Sequence, residues 1–178
     1  MKEFLNWTRR SLYLALMWSA SVCALTPKAD WVSLGQSIRS RYPEVRHINT
    51  SEFASIPDRQ EPLILDVRST DEFRISHLDR ARHAPSDAAV LAATAGIDRN
   101  RAIVVYCAVG YRSARAADLL RRHGYANAVN FEGSIFAWAN EGRPLFRGTQ
   151  RVTEVHPYNE YWGKLLGKDY WPKQWRPQ

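Results

Sequence analysis

The chain has 178 residues, enough for one domain with short appendages at its ends. Hydrophobic residues make up 45% of the chain, which excludes an intrinsically disordered protein. The formal net charge is +7, but the Lys and Arg residues are scattered among Asp and Glu without a long basic block, which indicates a solvated surface and no nucleic-acid partner.

Residues 1–24 have the layout of a secretory signal peptide. Lys2, Arg9 and Arg10 precede an apolar stretch that ends in small residues. This stretch, about 15 residues long, is shorter than the roughly 20 that cross a bilayer. We therefore expect a cleaved signal and an exported protein, located in the bacterial periplasm. A membrane anchor over residues 11–26 is the alternative.

The chain contains two cysteines, Cys23 and Cys107. Cleavage after residue 24 would remove Cys23 and leave Cys107 without a partner for an internal disulfide. An unpaired thiol in an oxidising compartment is either an inert buried side chain or a group kept for its chemistry.

Short apolar segments alternate with helical patterns along the middle of the chain. Residues 25–45 indicate a linker and a short helix that breaks at Pro43. Five apolar segments then predict strands, around Ile48 and at residues 63–67, 81–85, 102–107 and 127–131. Residue types that cap helices precede three helical patterns: Thr50 or Ser51, Ser69 or Thr70, and Ser86. Two further helices are expected, from Arg112 or Ser113 to Gly124 and over residues 132–142.

Strands that alternate with helices predict an α/β domain, which we place at residues 46–146. Nearly unbroken apolar runs suit strands that are covered on both faces. Parallel neighbours need a crossover helix between them. The sequence therefore predicts a mainly parallel central sheet of about five strands flanked by helices on both faces.

The composition changes in the last segment, residues 147–178, which is rich in Tyr, Trp and Lys. We expect this tail to pack over the domain through its aromatic side chains. A segment that binds a partner or a membrane surface is the alternative, because the same residue types suit an interface.

Cys107 lies at the end of the second strongly apolar strand and precedes a helix. Ligands of open parallel sheets bind beyond the carboxyl ends of the strands. The backbone N–H groups of residues 108–112 can surround the sulfur at the positive end of the helix, which lowers the pKa of a thiol and makes a thiolate nucleophile. Gly110 permits a backbone angle that a side chain would resist, and Arg112 can direct its guanidinium at an oxyanion.

Three segments, "LILDVRSTDEFRISHL", "IVVYCAVGYRSARAADLLRRHGY" and "NFEGSIFAWANEGRPL", resemble a rhodanese domain in their order and spacing. The resemblance covers about residues 46–146. It implies a rhodanese-like fold and a sulfurtransferase that works without a cofactor or metal. Such an enzyme takes a sulfane sulfur from a small sulfur-containing anion, such as thiosulfate, onto its cysteine as a persulfide. It then passes the sulfur to a thiol or cyanide.

The resemblance also implies roles for individual residues. Cys107 would carry the persulfide, and Asp66 and Arg68 would support the site. The substrate-binding loop would consist of five consecutive residues: Ala108, Val109, Gly110, Tyr111 and Arg112.

Other interpretations of these residues remain open at this point. Asp66 and Arg68 suit a structural hydrogen-bonding pair, with a direct contact of Arg68 to substrate as the alternative. Glu72 is expected to be a surface or bracing charge, and His77 a structural histidine. Tyr111 either presents its ring at the mouth of the pocket or covers the loop.

The length of the loop separates two kinds of relative. Cys107 and Arg112 have the spacing C-x4-R, whereas related phosphatases use C-x5-R to hold a larger phosphoryl group. This favours sulfur transfer over a cysteine phosphatase or arsenate reductase. Ala108 departs from the family pattern, because some members place a charged residue there. A non-enzymatic rhodanese-like module that docks a partner through its tail is the remaining alternative.

Overall fold

The computed structural model describes residues 29–57 and 61–177. The predicted signal peptide at 1–24, the alternative anchor at 11–26 and the first residues of the predicted linker lie outside the described residues. Among the described residues, no helix has the combined length and hydropathy of a membrane span.

Five parallel strands form the central sheet, as the sequence predicts. They are β1 (Arg46–Ile48), β2 (Leu63–Asp66), β3 (Arg82–His83), β4 (Ile103–Tyr106) and β5 (Ala128–Phe131), in the spatial order β1-β5-β4-β2-β3. Every pairing among them is parallel. β4 occupies the centre between β2 and β5, so the residue that follows it lies in the middle of the carboxyl edge.

Six helices accompany these strands: α1 (Trp31–Arg41), α2 (Thr50–Ala54), α3 (Thr70–Ile75), α4 (Asp87–Thr94), α5 (Tyr111–Arg122) and α6 (Ser134–Asn140). Ser69 and Ser86 cap α3 and α4 as expected. The predicted cap of α2, Thr50 or Ser51, is wrong. Asn49 caps this helix because it forms a reciprocal capping box with Glu52.

Alternate side chains of the strands pack into separate hydrophobic clusters on opposite faces of the sheet. In β4, Val104 and Tyr106 belong to one cluster, together with side chains of α1 and α6. Ile103 and Val105 belong to the other, together with side chains of α4 and α5. This alternation follows from the two-residue period of a strand, and it confirms a sheet covered by helices on both faces.

Four short elements that the sequence pattern does not predict lie at the start of the tail and within it. They are the antiparallel pair β6 (Leu145–Arg147) and β7 (Gln150–Val152), the helix α7 (Glu160–Gly163) and a 3₁₀ turn at Lys168–Tyr170.

Buried residues attach the tail to the domain. Val155, Leu165 and Leu166 are buried in the cluster on the α6 side of the sheet. The Asn140 side chain, at the end of α6, donates to the carbonyl of Leu165 at 2.8 Å and accepts from the amide of Gly167 at 2.9 Å. The tail is therefore part of the packed structure.

Candidate active site

Cys107 directly follows β4 and begins a loop that ends at the first turn of α5. Gly110 occupies the N-cap position of α5 with φ of 110°. A Cβ at this position would lie 3.4 Å from the backbone nitrogen of Gly133 and 3.5 Å from the Cα of Glu132. These are ordinary contact distances, so the loop needs glycine for its backbone angle.

The sulfur of Cys107 accepts hydrogen bonds inside this loop. The amide of Gly110 donates to Sγ at 3.2 Å, and the hydroxyl of Ser113 donates at 3.5 Å. Burial by itself raises the pKa of the thiol, but the positive charge of Arg112 and these hydrogen bonds outweigh it, so the pKa of Cys107 is lowered. The first turn of α5 adds its positive end. The surroundings of the sulfur therefore stabilise the thiolate relative to a free cysteine.

The first turn of α6 holds the cysteine loop in place. Cys107 donates its amide to the hydroxyl of Ser134 at 3.1 Å. The amides of Ile135 and Phe136 donate to the carbonyls of Cys107 and Ala108, at 3.3 and 3.1 Å. Sequence reasoning missed Ser134, because nothing in its local pattern indicates a contact with the cysteine.

Arg112 and Glu72 form an ion pair beside the cysteine. The guanidinium donates to both carboxylate oxygens, at 2.8 and 2.7 Å. The Glu72 side chain is 2% exposed, and it also accepts the amide of Ser69 at 3.0 Å. Glu72 is thus a buried bracing charge, and the surface alternative is wrong. The Arg112 guanidinium also lies over the ring of Tyr158, 4.7 Å from its centroid.

Asp66 and Arg68 form a hydrogen-bonded pair with 0% exposure of both side chains. The Arg68 guanidinium donates to Asp66 and, at 2.6 Å, to the carbonyl of Ser76. Tyr106 donates its hydroxyl to Asp66 and accepts the amide of Leu78 at 3.1 Å. Burial and the Asp66 charge raise the pKa of Tyr106, so it stays a protonated donor. The structure places Arg68 inside the fold, as a structural partner of Asp66.

His77 and Tyr111, the two remaining residues singled out from the sequence, lie in different settings. His77 contacts the carbonyl of Leu78 through Nδ1 at 2.9 Å and accepts the amide of Gly148 through Nε2 at 3.2 Å. Its hydrogen bonds are those of a structural histidine. Tyr111 is 43% exposed and lines the cavity at Cys107, so its ring stands at the mouth of the pocket.

A cavity of about 130 Å³ opens beside Cys107. Its lining includes the whole predicted substrate-binding loop except Gly110, together with two residues of the tail, Tyr158 and Trp162. A second cavity, of about 560 Å³, adjoins it, and Arg112 and Tyr158 line both. The sequence indicated the aromatic character of the tail but not that these two side chains reach the cysteine.

The described residues contain no group of side chains that would form a metal site. Within residues 29–57 and 61–177, the His, Cys, Asp and Glu side chains form no cluster of three or more that could hold an ion. The chemistry available at the site is that of a thiolate, backbone amides, a hydroxyl and a paired guanidinium.

A family model and several known proteins match the middle of this chain. Residues 49–141, just over half of the chain, match the rhodanese-like domain. A sulfurtransferase of Allochromatium vinosum is 30% identical over 90 residues, which are 51% of this chain and 83% of that protein. A tRNA uridine(34) hydroxylase of Sodalis glossinidius is 28% identical over 102 residues, which are 54% of this chain but 29% of that protein. This chain therefore matches under a third of the longer relative.

Solved structures show the same fold. A thiosulfate sulfurtransferase from Pseudomonas aeruginosa has a TM-score of 0.56 at 23% identity, over 67% of this chain and 23% of that chain, a likeness of fold alone. A rhodanese-like domain from Anabaena has a TM-score of 0.51 at 27% identity, over 58% of this chain and 80% of that chain. Because the family match runs through β4, the cysteine loop and α5, which together build the site, the chain belongs to the rhodanese-like domain family.

Proposed function

We propose that the protein is an exported sulfurtransferase that carries a sulfane sulfur as a persulfide on Cys107. The state of the Cys107 thiol supports this proposal more than any other feature. It is buried, its pKa is lowered, and it lines a cavity at the carboxyl edge of the sheet. The kinship with proteins named as sulfurtransferases supports sulfur transfer in general terms.

The first half of the reaction loads the cysteine. The Cys107 thiolate attacks the outer sulfur of a donor such as thiosulfate and forms a new S–S bond. The S–S bond of the donor breaks, and sulfite leaves with its electron pair. The hydrogen bonds from Gly110 and Ser113 hold Sγ in the thiolate form that makes this attack.

The second half returns the cysteine to its starting state. A thiol or cyanide acceptor attacks the terminal sulfur of the persulfide, and the bond between that sulfur and Sγ breaks. Sγ leaves as a thiolate, and the interactions that lower its pKa also make it a better leaving group. Neither half requires an oxidant, a reductant or a cofactor.

The direct test follows thiocyanate formation from thiosulfate and cyanide. We expect turnover by the wild-type protein, none by Cys107→Ser, and the gain of one sulfur atom on the intact wild-type protein by mass spectrometry before cyanide is added. A wild-type protein that gains no sulfur from several donors overturns the proposal. Cys107-dependent hydrolysis of a phosphoryl ester would instead assign a phosphatase.

We also propose that residues 1–24 direct export and are removed. Sequencing the N-terminus of the protein isolated from its own host tests this. A mature chain that begins near Leu25 supports cleavage. A protein that keeps Met1 and is found in the membrane fraction would contradict cleavage and support the anchor over residues 11–26.

A further inference from the structure

The tail supplies one wall of the cavity at Cys107. Tyr158 and Trp162 line it opposite the loop residues Ala108 and Val109. This wall has a fixed position, because Val155 on one side of it and Leu165 on the other are buried in the domain core. The two aromatic side chains are therefore placed by the fold to meet whatever approaches the sulfur.

The charge inside this cavity is low. Arg112 is the one charged side chain among the described residues that line it. Its charge is paired with the Glu72 carboxylate through one hydrogen bond from each terminal nitrogen, and its face lies over the Tyr158 ring. A doubly charged inorganic donor would lose its hydration here without an unpaired cation to replace it.

The remaining lining suits a carbon group. Ala108, Val109 and Trp162 present apolar surface, and the rings of Tyr111 and Tyr158 extend it. An apolar cavity of about 150 Å³ is large enough to hold benzene, and the volume at Cys107 is about 130 Å³ with the larger cavity adjoining it. The positive end of α5 favours negative charge beside the sulfur, and a singly charged donor supplies it with a smaller loss of hydration than a dianion.

We propose that Tyr158 and Trp162 are specificity-determining residues that select donors whose transferable sulfur is borne by an organic group and carries a single negative charge. Such donors are preferred over the inorganic dianion thiosulfate. This inference rests on the proposed sulfur transfer and names its substrate class. An organic thiosulfonate, R–SO₂–S⁻, has the required chemistry.

The transfer balances for this donor class. The Cys107 thiolate attacks the terminal sulfur of R–SO₂–S⁻, and a new S–S bond forms to Sγ. The bond between that sulfur and the sulfonyl sulfur breaks, and the sulfinate R–SO₂⁻ leaves with the electron pair. Two negative charges enter the reaction, and two leave it, one on the persulfide and one on the sulfinate.

Two variants and one control test the assignment in the full chain. Tyr158 is 44% exposed with φ of 66°, a left-handed conformation that asparagine tolerates, so Tyr158→Asn removes the ring without disturbing the backbone. Trp162→Leu removes the second ring. Val32→Asn is the control, an apolar-to-asparagine change on a 68% exposed side chain of α1 that lines neither cavity.

With cyanide as acceptor, we expect Tyr158→Asn and Trp162→Leu each to lower kcat/KM for benzenethiosulfonate by roughly tenfold. Their kcat/KM for thiosulfate should fall by a much smaller factor, less than about threefold, and Val32→Asn should match the wild type with both donors. The intrinsic reactivity of the donors cancels, because each variant is compared with the wild type on the same donor. Equal losses with both donors, or no loss with either, would overturn the selection.

A binding measurement separates this inference from the proposed function. In the Cys107→Ser protein, which cannot form a persulfide, titration calorimetry should find tighter binding of benzenethiosulfonate than of thiosulfate by about tenfold. Tyr158→Asn in the same background should remove the difference. Equal affinity overturns the donor selection even if the wild type transfers sulfur. If Cys107→Ser binds benzenethiosulfonate selectively but the wild type gains no sulfur from any donor, the proposed reaction is overturned and the binding preference stands.

Discussion

The guanidinium of Arg112 donates two hydrogen bonds to the buried carboxylate of Glu72, at 2.8 and 2.7 Å. This ion pair connects α5 to α3 beside the reactive thiol. Glu72 is also the capping-box residue of α3, where it accepts the amide of Ser69. One carboxylate therefore holds the start of one helix and the side chain that acts on Cys107. The electrostatics and the stability of the site depend on the same contact.

Replacing Glu72 with glutamine should lower the free energy of unfolding by about 2 kcal/mol, because the change leaves a partly buried guanidinium without its counter-charge. Urea denaturation measures the change. Asp71→Asn is the matched control, since Asp71 is an exposed carboxylate in the same turn, and it should change the stability by less than about 0.5 kcal/mol. Equal effects of the two substitutions would show that the ion pair contributes nothing to folding.

Arg112→Gln should raise the pKa of Cys107. Burial raises this pKa, and the Arg112 charge is the largest of the effects that lower it, so loss of the charge shifts the thiol toward its neutral form. The thiolate absorbance near 240 nm, measured against Cys107→Ser to subtract the tyrosines, follows the titration. The pH dependence of the rate of persulfide formation should shift to higher pH together with the pKa of Cys107.

The control for this titration lies on the same helix. Arg115 is exposed and pairs with Asp87, so Arg115→Gln should leave the pKa of Cys107 where the wild type has it. An unchanged titration curve in Arg112→Gln would rule out the guanidinium as a cause of the lowered pKa.

Gly110→Ala should cost about 1–3 kcal/mol in the free energy of unfolding and abolish sulfur transfer, since φ of 110° is open only to glycine and the hydrogen bond from its amide to Sγ would be lost. Gly96→Ala provides the comparison. Gly96 has φ of 74° and open space around its Cα, so its substitution should reduce stability by about 1 kcal/mol and keep the activity. A fully active Gly110→Ala protein would refute the role of the loop conformation.

Arg68→Met should lower the free energy of unfolding by about 3 kcal/mol, because it leaves the Asp66 carboxylate buried without its counter-charge. The double variant Asp66→Asn with Arg68→Met should be more stable than Arg68→Met alone, since no isolated charge remains. Thermal or urea unfolding of the wild type, the two single variants and the double variant measures the coupling. Strictly additive losses would argue against a coupled pair.

The sequence by itself determined the sheet, its covering helices and the position of the thiol. Apolar runs, serine caps at Ser69 and Ser86, and the glycine after Cys107 are local signals, and each acts through neighbours a few residues away. Local signals can still compete within a short stretch. Asn49, with Glu52 three residues on, caps α2 one position before the predicted Thr50 or Ser51.

Only the tertiary structure decided which side chains meet at the sulfur. The sheet order places β2 beside β4, and this brings the Asp66 carboxylate to the Tyr106 hydroxyl and Glu72 to Arg112. Packing of the tail on the core then places Tyr158 and Trp162 against the cysteine cavity. No periodicity encodes such contacts between distant segments, because an aromatic-rich segment fits a core, an interface or a pocket wall equally well until the surface it packs against exists.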